Sequence, residues 1–556
     1  MIFASLAAGG AVVVVGGVLL LTAGPPAEQA RAERYVTAWA RGDLPAMHSE
    51  LTTADRRAMP LSRFIAAHRS AAATATAVAV RAGVASEPRD GVVSVPMTVA
   101  TRVFGRVRAT LRLPFAGEGD DARIDWSRRL AFPGVDRGER LTRRVRLPRR
   151  AAILASDGTP LARGARAAAG AEVASSIVGE LGPIPAERAE RLRALGFPGD
   201  AQVGVSGLER VFDERLAGRP GGELRAGDRV LARSVPRPAT AVRTSIDLDV
   251  QRAAVQAKAA YLGGVAALRP DTGEILALAG VAFSGLQPPG STFKIITLAG
   301  VLQARLAGPQ STYPVETAAT IEGVRLENAN GESCGGSLRA SFAHSCNSVF
   351  APLGARLGAE RLVQAAEAFG FNEHPGIPGA ATSTIPPADE IGDDLAVGSS
   401  AIGQGRVQAT ALQMAWVAAT IAARGRRPEL TLERGARPRS RQAIPASTAR
   451  LVGRYMEAVV REGTGTAARI EGVRVAGKTG TAELRDTSRP SCAPGADCPA
   501  PAPDDPTDTD AWFAAYAPAS APRVAVGVLL VEAGAGGTTA APVARDVLVA
   551  GLRATR

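Results

Sequence analysis

Lysine occurs at only three positions in this chain, Lys258, Lys294 and Lys478, while arginine supplies the other 62 of its 65 basic residues. A coding bias that replaces lysine with arginine should spare positions where arginine cannot do the work. A buried lysine can release its proton and act as a base; arginine keeps its charge at any working pH. Two of the three lysines lie in Ser291-Thr292-Phe293-Lys294 and Lys478-Thr479-Gly480-Thr481, and Ser345-Cys346-Asn347 stands between them. If these segments act together, the fold must bring three distant stretches of chain to one cleft.

The length sets the rest of the frame. At 556 residues the chain exceeds what one hydrophobic core supports, so several domains are expected. With 46% hydrophobic but only 4% aromatic residues, Ala, Val and Leu must fill the cores. The net charge of +12 would suit nucleic acid or an anionic membrane. Nucleic acid is set aside, because basic residues are interleaved with acids and form no block. No metal-ligand spacing appears, the histidines His48, His68, His344 and His374 are scattered, and neither metal nor cofactor is expected.

Ile2 to Ala23 is an uncharged apolar run, about 33 Å long as a helix and sufficient to cross a bilayer core. No A-x-A cleavage site follows, which favours a retained single-pass anchor over a signal peptide. Residues 1–25 are assigned to it. Residues 26–135 read as a small α+β domain. An amphipathic helix over 27–41 carries Tyr35, Val36 and Trp39 and stops at Gly42, and a second helix surrounds Phe64 and Ile65. Strand alternation follows, with Val107, Ala109, Leu111 and Leu113 between Arg106, Arg108, Thr110 and Arg112. Residues 136–242 are rich in Arg, Gly and Pro, with a helix opening after Gly204 and ending at Gly218, and suit an elongated platform. Residues 243–556 have α/β character, with a hairpin across Pro270–Gly273 and late strands near 474–476, 511–516 and 524–531. The Pro/Asp-rich stretch 484–510 reads as a surface loop. Cys492 and Cys498 could close a disulfide outside the cell, as could Cys334 and Cys346; free thiols, or a simply buried Cys346, are equally compatible.

Each motif has a chemistry and a bland alternative. Ser291 opens a helical run to Gln303, where its hydroxyl meets unpaired N–H groups, and Lys294 falls on the same face. In a poorly solvated cleft that amine loses its charge and can take the serine proton. A capped helix with a surface lysine gives the same tetrapeptide. Ser345 and Asn347 fit a helix from Ser337 to Leu357, at a helix end or turn, where serine relays protons and asparagine grips an amide; ordinary helix polarity is the alternative. Lys478 to Thr481, following a strand Val473–Ala476, offers an ammonium and hydroxyls to a carboxylate, and Gly480 lets a substrate approach the backbone. Joint occurrence decides: three ordered motifs take two of three lysines, and no G-x-S-x-G or H-E-x-x-H competes.

These motifs, with Thr244-Ser245-Ile246-Asp247, Gln251, Gly403-Gln404-Gly405 and Gly463-Thr464-Gly465, resemble a class B penicillin-binding protein, over nearly the whole chain. Pro148 to Ala162 is similar to the strand entering that family's pedestal, though Ala151, Ala155 and Ser156 replace the usual Gly, Asp and Arg. The first soluble domain resembles the nuclear-transport-factor-like module of the subgroup related to the methicillin-resistance transpeptidase. The resemblance implies a pedestal or dimerisation domain over 136–242 and a C-terminal penicillin-recognition serine-transpeptidase domain over 243–556. It implies a D,D-transpeptidase that cross-links peptidoglycan stem peptides outside the cytoplasmic membrane and is acylated by β-lactams. A membrane glycosyltransferase would be its partner.

By the same resemblance Ser291 is the nucleophile, Lys294 its general base and Ser345 the proton relay. Asn347 orients the donor amide, Lys478, Thr479 and Thr481 hold the carboxylate beside Gly480, and the N–H groups of Ser291 and Thr481 form the oxyanion hole. A β-lactamase or β-lactam sensor shares the motifs, and a catalytically idle scaffold is a third reading. A class A enzyme would need a further glycosyltransferase domain, for which 26–135 is too short.

Overall fold

The structure is a computed structural model that describes residues 25–163, 166–167, 171–259, 261–484, 489–490 and 508–555. The expected anchor over Ile2–Ala23 and the pair Cys492 and Cys498 lie outside the described residues. Among the described residues no helix is long and apolar enough to cross a membrane. The chain divides into two compact units, and the segment 136–242 contributes to both.

The first unit holds the described residues up to Leu147, with Ala189–Pro198 and Pro220–Arg237. Helix α1 (Ala27–Arg41) ends where Gly42 turns left-handed at φ 76° and its N–H caps Trp39 O. Helix α2 (Leu61–Ala75) carries Phe64 and His68 inward. The two helices cover one face of an antiparallel sheet in the order β1 (Ala77–Ala82), β2 (Val92–Thr101), β3 (Arg106–Ala116), β4 (Arg123–Ile124). Along β3, Val107, Leu111 and Leu113 are buried while Arg106, Arg108, Thr110 and Arg112 are exposed, as the alternation predicts. Tyr35, Phe64, Val95, Leu113 and Trp126 meet in the core. A second sheet joins β5 (Leu141–Arg146), β6 (Gly221–Ala226) and β7 (Arg229–Ser234), with β6 central.

The second unit opens with short strands Ala152–Leu154 and Pro160–Arg163. Arg150 pairs with buried Glu209 at 2.5 Å and buried Asp213 at 2.8 Å, which anchors the start of this segment. The helix expected between Gly204 and Gly218 is two short ones, Gly207–Val211 and Asp213–Ala217, broken at Phe212. Beyond α3 (Leu248–Lys258), the expected hairpin forms between β8 (Gly263–Leu268) and β9 (Ile275–Gly280).

A 3-10 turn, Gly290–Phe293, leads into α4 (Lys294–Gln303). The single helix expected over Ser337–Leu357 is a correction. It is two helices, α5 (Leu338–Ala343) and α6 (Asn347–Leu357), because Ser345 adopts φ 61° between them. Helix α7 (Ala411–Ala422) is buried throughout, and α8 (Ala446–Glu462) is amphipathic.

The strand expected at Val473–Ala476 is displaced. It is β10 (Ala476–Glu483), so Lys478–Thr481 lies inside the strand rather than after it. Asp510, expected in the surface loop, belongs to β11 (Thr509–Ala517), which is followed by β12 (Val524–Leu530) and α9 (Ala540–Ala554). The central sheet runs β9-β8-β12-β11-β10, antiparallel throughout. Helix α7 packs on one face, in the same core as the residues around Ser291; α3 and α9 pack on the other. Its motif-bearing strand β10 is therefore an edge strand among the described residues.

Candidate active site

Backbone packing brings the three motifs together. Gly290, immediately before Ser291, has φ 51°, and a Cβ there would lie 2.7 Å from Thr481 O. Its N–H donates to Gly403 O at 3.0 Å, and a Cβ on Gly403 would meet Gly290 O at 2.0 Å. A Cβ on Gly480 would lie 2.8 Å from Pro289 O and 3.0 Å from Thr292 Cγ2. Three glycines without side chains thus let the Ser291 turn press against strand β10. Ser291 stays half-buried while Thr292 and Phe293 beside it are buried.

Lys294 is completely buried at the start of α4. Its Nζ donates to Ser345 O at 2.7 Å and Asn347 Oδ1 at 2.6 Å, and lies 3.4 Å from Ser345 Oγ. Burial holds its pKa well below the ordinary lysine range, and the nearby Lys478 charge lowers it further. A neutral amine has two N–H donors and one lone pair. In that state Ser345 O and Asn347 Oδ1 take both donors and the lone pair is left to accept a proton; in the charged state the third N–H reaches Ser345 Oγ.

Lys478, also completely buried, donates to Ser345 Oγ at 2.7 Å and to Thr479 O at 3.1 Å. Burial brings its pKa down to about 7. Ser345 therefore touches both lysines. Its left-handed backbone, which costs a non-glycine residue on the order of 1–2 kcal/mol, lets its carbonyl and hydroxyl serve them together. Asn347 Nδ2 donates to Glu327 O at 2.7 Å, so this side chain links the strand Val324–Glu327 to Lys294.

Thr479 Oγ1 lies 2.6 Å from Thr464 Oγ1, and Gly536 N donates to Thr481 Oγ1 at 3.4 Å. Lys478 and Gly480 share one face of β10 and Thr479 and Thr481 the other, as strand alternation predicts. His344 only caps the end of α5 and is exposed.

One contributor escaped the sequence reading, and one left open in it is settled. Gly536 lies so close to Gly480 that a Cβ would meet Gly480 O at 2.2 Å; the glycine cluster at 534–537 after the last strand was its signal. Cys334 and Cys346 form a disulfide, with Cα atoms 5.6 Å apart, which ties the Ser345–Asn347 junction to the short strand Cys334–Ser337. Ser348 Oγ adds a hydrogen bond to Cys334 O at 3.3 Å.

Residues 263–549 match the penicillin-binding protein transpeptidase domain, and residues 159–230 the penicillin-binding protein dimerisation domain. The chain belongs to the penicillin-binding protein transpeptidase family. With a dimerisation segment ahead of the catalytic domain, it is a class B penicillin-binding protein. It is 35% identical over 418 residues to the peptidoglycan D,D-transpeptidase PbpA of Mycolicibacterium smegmatis, a match covering 63% of this chain and 80% of that protein. Identity to the PbpA of Mycobacterium tuberculosis is 36% over 254 residues, 41% of this chain and 48% of that protein.

Among solved structures, the D,D-transpeptidase domain from Eggerthella lenta matches with TM-score 0.58 and 28% identity, over 73% of this chain and 99% of that one. Penicillin-binding protein A of M. tuberculosis, as an acyl-enzyme with imipenem, matches with TM-score 0.55 and 26% identity, over 73% and 99%.

Proposed function

We propose that this class B penicillin-binding protein is a serine-type D-Ala-D-Ala transpeptidase that cross-links peptidoglycan stem peptides and is acylated by β-lactams. The observation that carries the reading is the junction at Ser345, where two completely buried lysines from separate motifs meet one serine beside the Ser291 turn.

Ser291 Oγ attacks the carbonyl carbon of the penultimate D-Ala, and its proton passes to the lone pair of neutral Lys294. The oxygen that becomes negative is received by the N–H groups of Ser291 and Thr481. The edge position of β10 and its close approach to Gly290 support that placement. Ser345, held by Lys478, gives its own proton to the nitrogen of the departing D-Ala and regains one from Lys294. The peptide bond breaks and an ester to Ser291 remains. An amine of a second stem peptide then attacks the ester, forming the cross-link and returning the proton to Ser291.

Thr479, Thr481 and the charge on Lys478 attract the terminal carboxylate, with Gly480 leaving room for the peptide. Asn347 grips the donor amide and meanwhile keeps the Lys294 donors engaged. A β-lactam enters the same way and remains on Ser291. The test is mass spectrometry of the penicillin-treated protein beside Ser291→Ala.

The finer domain reading belongs to the same proposal: an anchor over 1–25, a nuclear-transport-factor-like domain over 26–135, a pedestal over 136–242 and the transpeptidase over 243–556. The apolar run holds the protein as a single-pass membrane protein, its catalytic domain outside the cytoplasm and a membrane glycosyltransferase supplying the glycan strands. The Cys334–Cys346 disulfide supports an oxidising location. Carbonate extraction of membranes tests the anchor: the full chain stays in the pellet if it spans.

A further inference from the structure

The sheet of the first unit has a face that the transpeptidase chemistry does not use. Its inner face packs on α1 and α2; its outer face presents Arg106, Arg108 and Arg112 from β3. Thr98 of β2 stands between Arg108 and Arg81 of β1 in one cross-strand row, so Arg81 lies on the same face. All four guanidinium-bearing residues are exposed, and none forms an ion pair or hydrogen bond among the described residues. The strands β1, β2 and β3 contain no Asp or Glu. Other exposed arginines of this unit include paired ones, Arg229 with Glu139 and Asp136 and Arg233 with Glu223, and ones unpaired among the described residues, such as Arg57 and Arg63; what sets the four apart is that they share one sheet face. An uncompensated row of arginines on a sheet face, with alternate residues of a strand roughly 7 Å apart, matches a plane of closely spaced anionic groups.

We propose that this arginine face docks on the anionic phospholipid headgroups of the membrane that carries the protein. The proposal rests on the anchor reading above. The four residues from the end of the apolar run at Ala23 to Ala27, where α1 begins, span at most roughly 14 Å when extended. The potential of an anionic leaflet decays over about 8 Å at physiological salt, and so short a tether keeps the start of α1 close to the headgroups. Thr98, Thr110 and Ser94 on the same face add hydrogen-bond donors suited to phosphate oxygens, and Pro96 among them is a small apolar side chain. The interaction is therefore superficial, electrostatic and salt-sensitive.

All four described hydrophobic cores lie beyond Pro25, so the chain from Pro25 onward folds without the first 24 residues. That chain is to be sedimented with vesicles of phosphatidylcholine alone or with phosphatidylglycerol, at low and high salt. The expected result is binding to the anionic vesicles only, weakened by salt. The Arg106→Gln, Arg108→Gln, Arg112→Gln triple variant should bind on the order of 100-fold more weakly. The corresponding triple Arg→Lys variant should bind as the parent does, and all three proteins should melt alike.

Equal binding by the Gln variant overturns the proposal, as does binding to phosphatidylcholine alone. Retention by a soluble polyglycerol phosphate without vesicle binding also overturns it, in favour of a wall polymer. Carbonate extraction reports on the anchor separately, and penicillin labelling of Ser291 reports on the transpeptidase reading.

Discussion

Lys478 Nζ donates to Ser345 Oγ at 2.7 Å, which leaves the Ser345 hydroxyl hydrogen as the one this serine can pass on. In the proposed mechanism the lysine sets the direction of transfer. Ser345→Ala should fold, because Ser345 is only half-buried, and should lower the acylation rate roughly 100–1000-fold with little change in ligand affinity. Stopped-flow labelling over a range of β-lactam concentrations separates rate from affinity; a lost affinity with an unchanged limiting rate would assign Ser345 to binding.

Lys294 offers a test that charge conservation alone fails. Burial lowers its pKa and so favours the neutral amine, whereas an arginine in its place stays charged. Lys294→Arg should lower acylation at least about 1000-fold. In the parent protein acidification protonates Lys294, so the acylation rate should fall as pH falls. A rate indifferent to pH, or a Lys294→Arg protein that labels normally, would remove the general base.

Lys478 also bears on stability. Its folded pKa of about 7 lies below that of an unfolded lysine, so from about pH 7 to 10 the unfolded chain holds the extra proton. Folding stability from this group therefore rises with pH through that window, and its full cost is present below it. Lys478→Met should raise the melting temperature at pH 6 and less so at pH 10, with a gain on the order of a few kcal/mol at the lower pH, while impairing acylation. Equal shifts at both pH values would contradict the buried, proton-poor lysine.

The disulfide should matter to rate as well as to stability. Cys334 and Cys346 are 12 residues apart, and closing such a loop contributes about 3 kcal/mol. Replacing both by serine should lower the melting temperature by roughly 5–10 °C. It should also slow acylation about tenfold, because Cys346 sits between Ser345 and Asn347. Melting and labelling with and without reductant check both; a protein slowed in neither respect would make the bond incidental.

Much of the site was legible because its chemistry is spelled in short, local words. Ser291 and Lys294, one helical turn apart, and Lys478 to Thr481 within one strand carry their proposed roles in residue type and spacing. What was not legible arises from tertiary context. The positive φ at Ser345 breaks a helix that periodicity made continuous, and a left-handed serine has no sequence mark. The start of β10 depends on pairing with β11, whose partner residues lie beyond the 484–508 stretch. The coupling of Lys478 to Ser345 spans a sequence separation no local pattern reaches, and the Gly536 contact with Gly480 is a close approach between chains of unrelated position. In the first unit the opposite held: alternating Arg and apolar residues along β3 already mark which side faces the core.

The central claim is that Ser291, activated by a neutral Lys294, forms the acyl-enzyme. The direct measurement is intact and peptide mass spectrometry of the protein after exposure to a penicillin, beside Ser291→Ala, followed over hours. The account predicts one added ligand mass on the peptide containing Ser291, stable over that time and absent from the variant. An adduct elsewhere, or an adduct in the Ser291→Ala protein, would contradict it.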